Sequence, residues 1–171
     1  MTRPDAPHHT ISLIGMPGAG KSTVGVILAK RCGLGFCDTD LAIQQREAES
    51  LQEILEKQGN RGFRRIEQQV LLEVSLDDAV VSTGGSVIFS DAAMRRLKAA
   101  GPVAYLSADI ATLEQRIAVN PLRGIARDDS QTYADVYAER CPLYEHYADV
   151  TVDATAGSAD DVAAAIHRAL Y

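Results

Sequence analysis

Short apolar runs alternate with longer stretches in which apolar residues recur every three or four positions. This is the pattern of parallel strands joined by crossover helices. Five runs read as strands: Ile11 to Ile14, Gly35 to Cys37, Ala79 to Ser82, Val103 to Leu106 and Val150 to Val152. Between them, Ser22 to Lys30 reads as a helix, and Ser50 with Glu53 forms a capping box that opens another. In the stretch from Gly62 to Leu76, Phe63, Ile66, Val70 and Val74 mark one buried helical face. Ser90 precedes a helix from Asp91 to Ala99, with Gly101 where a left-handed C-terminal residue would stand. A last helix after Ser158 buries Val162, Ile166 and Leu170. The fold expected is α/β: a three-layer sandwich with a five-stranded parallel sheet flanked by helices.

The chain has 171 residues, room for one domain and a short lobe or lid, and no internal repeat or linker marks a boundary within 1–171. A net charge of −6 argues against a nucleic-acid binder that works by broad phosphate neutralisation. Cys32, Cys37 and Cys141 have neither CxxC nor Cys/His spacing, so they read as reduced core thiols rather than a disulfide framework or zinc site. No apolar run is long enough to cross a bilayer, and Met1 to His9 lack the apolar stretch of a signal peptide, so a cytoplasmic protein is expected.

Gly15-Met16-Pro17-Gly18-Ala19-Gly20-Lys21-Ser22, followed by Thr23, matches the phosphate-binding pattern G-x-x-x-x-G-K-[ST] between a strand and a helix. Its glycines let backbone N–H groups turn inward around a phosphate, and the helix N-terminus adds partial positive charge. Lys21 would reach the β- and γ-phosphates of ATP, and the Ser22 hydroxyl would take one position on Mg²⁺. No Asn/Thr-Lys-x-Asp base-reading motif accompanies this loop, which sets it apart from guanine-nucleotide switches.

Asp38-Thr39-Asp40 follows the second strand, placing two carboxylates where open α/β sheets bind ligands. One can serve the metal and the other a substrate hydroxyl, while a helix N-cap is the alternative for Asp40. Arg64-Arg65 could be a solvated basic turn. Arg140 stands just before Pro142, a proline expected to end its helix. If Arg64 and Arg140 converge, they form a bidentate clamp for a carboxylate. Tyr133, Tyr137, Tyr144 and Tyr147 read as packing for the helix after the lid.

Taken in order, the phosphate loop, Asp38-Thr39-Asp40, Phe63-Arg64-Arg65-Ile66-Glu67, Thr83-Gly84-Gly85 and Glu139-Arg140-Cys141-Pro142-Leu143-Tyr144 resemble the shikimate kinases, within the nucleoside monophosphate kinase-like P-loop group. The resemblance runs from about Ile11 to Asp153. It implies ATP-dependent phosphorylation of the 3-hydroxyl of shikimate, an anionic hydroxy acid, by a monomer with Mg²⁺ as cofactor. Asp40 would hold and deprotonate the accepting hydroxyl, Arg64 and Arg140 would clamp the carboxylate, and Gly84 and Gly85 would close on the ring. Asp38 would reach Mg²⁺ through water. Arg123 would close over the transferring phosphate and Arg116 would pack on adenine, with a lid at about 118–132 and an acceptor-binding region at about 38–75. Two departures bear on the acceptor: Ser86 stands where the family has a third glycine, and Arg123-Gly124-Ile125-Ala126 replaces Arg-Pro-Leu-Leu. They keep open a kinase for another hydroxy acid or polyol, such as gluconate or homoserine, and a non-catalytic nucleotide-binding module.

Overall fold

The computed structural model describes residues 8–119 and 124–171. Its strands are β1 (Thr10–Ile14), β2 (Gly35–Asp38), β3 (Ala79–Ser82), β4 (Val103–Ser107) and β5 (Val150–Asp153). They form one parallel sheet in the order β2-β3-β1-β4-β5. All five lie where the apolar runs placed them, extended by a residue at most at either end. The helices are α1 (Lys21–Cys32), α2 (Thr39–Glu47), α3 (Leu51–Glu73), α4 (Asp91–Ala100), α5 (Ile110–Val119), α6 (Tyr133–Tyr147) and α7 (Ala159–Leu170).

β1 and β3 are buried along their whole length, as strands covered on both faces must be. α1 and α7 pack on each other and on the sheet, whereas α3 packs on α4 and α4 on β1. A smaller apolar cluster, Ile43, Leu51, Ile54, Phe63, Val70 and Ala126, joins α2 and α3 to the segment after residue 123. The chain leaves β1 to form β2 on one side and later crosses to form β4 on the other, so the strand order reverses beside β1. A crevice opens at such a reversal, beyond the C-terminal strand ends.

Three local readings are corrected. Gly101 is extended (φ 165°, ψ −172°) rather than left-handed, and glycine is needed because a Cβ there would come within 2.0 Å of the Thr10 carbonyl oxygen. Pro142 does not end its helix: α6 runs through it to Tyr147, losing one backbone hydrogen bond while its termini stay anchored. α3 starts earlier than Gly62, at the Ser50–Glu53 capping box, is interrupted at Gly59, and ends before Val74, which is its C-cap. The three cysteines are free thiols, partly buried against the main core.

Candidate active site

Three neighbouring strand ends build the site. β1 runs into the loop 15–20, where Gly15 (φ 148°) and Gly20 (φ 92°) take backbone conformations that L side chains rarely adopt. A Cβ on Gly15 would also stand 2.7 Å from the Leu106 carbonyl oxygen. The loop thus closes tightly over the sheet and enters α1 at Lys21. Lys21 is buried, and its Nζ donates to the carbonyls of Gly15 (2.8 Å) and Met16 (3.0 Å).

β2 ends at Asp38, whose carboxylate does two jobs. Oδ1 accepts from the backbone N–H groups of Asp40 and Leu41, capping α2, and Oδ2 accepts from Ser22 Oγ at 2.5 Å. The N-cap is therefore Asp38 and not Asp40, which lies in the first helical turn and lines the cavity described below. From β3, Thr83 ties back to β1 through its hydroxyl and N–H, both donated to Leu13 O, while Gly84 N–H donates to Thr39 Oγ1 at 3.1 Å. These bonds hold the three loops in fixed register.

The loops enclose one cavity of about 30 Å³, lined among others by Lys21, Ser22, Asp40, Glu67, Gly84 and Arg140. Gly84 leaves no room for a side chain: a Cβ there would stand 2.2 Å from Glu67 Oε1 and 3.0 Å from Asp40 Oδ1. Gly124, Ile125 and Ala126 cover it from the other side, and Arg140 donates to the Ala126 carbonyl. Glycine suits that cover, since a Cβ on Gly124 would lie 2.7 Å from Leu55 Cδ1.

The two arginines behave differently. Arg140 is 2% exposed and lines the cavity, whereas Arg64 lines an adjoining one that shares Glu67 and Ser86 with it. Both guanidiniums lie over the Phe89 ring, at 4.2 Å for Arg64 and 5.6 Å for Arg140, so they approach the same aromatic side chain. Among the described residues, four buried side-chain polar atoms have no hydrogen-bond partner: Arg64 Nε, Glu67 Oε1, Arg140 Nε and Ser12 Oγ. Three of these belong to this cluster, and leaving such an atom unsatisfied costs about 1–3 kcal/mol. A polar ligand or water is what such a group of atoms accommodates.

Glu67 is the residue that sequence reasoning passed over. It is buried, and burial pushes its carboxyl up to about 7, opposed by the Ser86 hydroxyl and by Arg140 and Arg64, and reinforced by Asp40. A signal was present: Glu67 stands four residues after Phe63 and three before Val70, on the apolar stripe itself. Two tyrosines also do more than pack. Tyr133 OH donates to Pro17 O at 2.7 Å and Tyr144 OH donates to Gly85 O, so α6 holds both the phosphate loop and the glycine turn.

On the opposite side of the loop, Arg116 donates to the carbonyls of Gly18 (3.4 Å), Ala19 (3.3 Å) and Ala154 (3.1 Å), bridging the loop to the end of β5. Thr23 is exposed on the first turn of α1. Arg123 lies outside the described residues. Among the described residues no cluster of three His, Cys, Asp or Glu side chains could hold a metal alone, and no helix is long and apolar enough to cross a membrane.

The shikimate kinase family model matches residues 17–171. This chain belongs to the shikimate kinase family. Among its relatives, the shikimate kinase of Mycobacterium avium is 40% identical over 144 residues, covering 82% of this chain and 81% of that protein. The shikimate kinase of Halorhodospira halophila is 40% identical over 163 residues, covering 94% and 92%. In three dimensions, the shikimate kinase of Acinetobacter baumannii in complex with shikimate superposes with a TM-score of 0.86 at 34% identity, over 94% of this chain and 91% of that one. The chain is thus a family kinase that uses ATP. Within the family fold, Ser86 needs no special backbone, because its φ of −97° is open to any L residue.

Proposed function

We infer that this protein transfers the γ-phosphoryl group of ATP to the 3-hydroxyl of shikimate, giving shikimate 3-phosphate and ADP. The observation that carries this reading is the single cavity in which the phosphate-loop Lys21 and Ser22 face Asp40, Gly84 and Arg140. A phosphoryl donor and an anionic alcohol are thereby held within reach of each other, and positioning with charge neutralisation is most of what phosphoryl transfer needs.

In the reaction, the bond from the γ-phosphorus to the β,γ-bridging oxygen breaks as the bond to the acceptor hydroxyl oxygen forms. Asp40 orients that hydroxyl and takes its proton. Lys21, which spans to loop carbonyls in the free protein, turns its ammonium to the β- and γ-phosphate oxygens. Arg140, joined by Arg64 from the adjoining cavity, takes the acceptor carboxylate through guanidinium N–H groups, including the unpartnered Nε atoms. Gly84 and Gly85 keep backbone against the ring, where a side chain would block it.

Ser22 Oγ, a hard oxygen hydrogen-bonded to the Asp38 carboxylate beside it, fits Mg²⁺, which takes few protein ligands and completes its shell with water and phosphate. Ser22 and Asp38 would hold Mg²⁺, which would supply charge neutralisation at the phosphate oxygens. Arg116 packs on adenine from its place beside Gly18 and Ala19.

A cavity of about 30 Å³ holds a water or two, far less than a six-membered ring acid. The cover Gly124–Ala126 therefore moves outward to admit the acceptor and returns to exclude water; the family resemblance assigns Arg123 to the transferring phosphate. Three free thiols fit a reducing cytoplasm.

A coupled ADP-release assay with shikimate, gluconate and homoserine as acceptors tests the reading. Shikimate should give much the highest kcat/KM, and Lys21→Ala should abolish it. A higher kcat/KM with either other acceptor, or shikimate turnover that survives Lys21→Ala, would reject it.

A further inference from the structure

Ser86 stands where the family resemblance has a third glycine, and its hydroxyl is not idle. At 4% exposure it donates to Oε2 of Glu67, itself 3% exposed. The other oxygen, Oε1, is buried without a hydrogen-bond partner against Gly84, and Glu67 and Gly84 both line the cavity with Lys21, Asp40 and Arg140. Ser86 therefore determines which carboxylate oxygen is spent inside the protein and which is offered to the cavity. With glycine or alanine at this position, Oε2 loses that hydroxyl donor and neither oxygen is held.

We propose that Ser86 is a positioning residue that acts through Glu67: by holding Oε2 it turns Oε1 into the acceptor cavity, to receive a hydrogen bond from a ring hydroxyl of the acceptor other than the one phosphorylated. The proposal rests on the acceptor site assigned above. It makes Glu67 a selector for polyhydroxylated carboxylic acids over acids with a single hydroxyl, since a second donor on the ligand is needed to satisfy Oε1.

The charge state of Glu67 follows from the same geometry. Burial favours the neutral acid, and the Ser86 hydroxyl favours the carboxylate. The charged groups around it are Asp40 on α2, Arg64 on its own helix, Arg140 on α6 and Lys21 at the start of α1. With burial and Ser86 opposed, the carboxyl titrates near neutrality, so loss of one hydrogen bond changes its form under working conditions. A hydrogen bond to a charged group is strong enough to move the titration by about one to two pH units.

The full-length protein, labelled with ¹³C in its glutamate carboxyls, allows Glu67 to be followed by NMR, its signal assigned by disappearance in Glu67→Gln. Ser86→Ala should move the Glu67 inflection upward by about one to two pH units. In steady-state kinetics at pH 7.5, Ser86→Ala should raise the KM for shikimate about tenfold while kcat and the KM for ATP stay within about threefold. Added to Glu67→Gln, Ser86→Ala should change the shikimate KM less than about twofold, because the route through Glu67 is already gone. Ser86→Gly carries the same expectations should Ser86→Ala fold poorly. An inflection that does not move, or a shikimate KM that Ser86→Ala and Ser86→Gly leave unchanged, would overturn the proposal. Absence of shikimate turnover in the unmodified enzyme would instead defeat the assigned function, and the NMR titration would still decide the Ser86–Glu67 link.

Discussion

Gly84→Ala places one methyl group on a wall of the site that has no room for it. An ideal Cβ there stands 2.2 Å from Glu67 Oε1 and 3.0 Å from Asp40 Oδ1. The first distance is about 1 Å short of ordinary carbon–oxygen contact, so one partner has to move. Glu67 is buried and tied to Ser86, and the Gly84 backbone is tied to Thr39, so neither side yields freely. Overpacking of this kind costs about 1–3 kcal/mol of stability. The catalytic cost should be larger, since displacement of a positioned group by about 1 Å lowers rates about a hundredfold. A coupled ADP-release assay should show kcat/KM for shikimate reduced about a hundredfold. The KM for ATP should stay within about threefold, because the phosphate loop is a separate wall. A kcat/KM for shikimate within about threefold of the unmodified enzyme would refute the assignment of this wall to the acceptor.

Arg140→Ala removes the guanidinium that lines the cavity and should raise the shikimate KM about a hundredfold, whereas Arg64→Ala, acting from the adjoining cavity, should raise it about tenfold; equal KM values for the two variants would contradict this ranking. Glu67 makes stability depend on pH: its folded titration near 7 lies above the unfolded value of 4.5, so the stabilisation present below about 4.5 is lost as pH rises toward 7. Urea unfolding should therefore show the stability difference between the unmodified protein and Glu67→Gln changing by about 3 kcal/mol between pH 4.5 and 7, and a constant difference would count against the raised carboxyl.

The strands and the phosphate loop were legible because each rests on local chemistry: unbroken apolar runs for strands covered on both faces, and glycines at fixed spacing before Lys-Ser. The dual role of Asp38 was not legible, since capping α2 and accepting from Ser22 at once depends on where β2 lies relative to α1. Nor was the placement of Arg64 and Arg140 in adjoining cavities that share Glu67 and Ser86, since the two come from helices distant in sequence. Pro142 misled for a related reason: the local rule against proline in helices was outweighed by Tyr133 and Tyr144 anchoring α6 on either side of it. Glu67 could have been found from its place on an apolar stripe, but its partner Ser86 could not.

The central claim is that the phosphate loop and the acceptor share one cavity across Asp40. A crystal structure of the protein with ADP, Mg²⁺ and shikimate addresses it most directly. The expected result is the shikimate 3-hydroxyl within hydrogen-bond distance of Asp40, on the side facing the β-phosphate, with the carboxylate held by Arg140 and Arg64. Shikimate bound with its carboxylate toward the phosphate loop, or outside the cavity lined by Asp40 and Gly84, would contradict it.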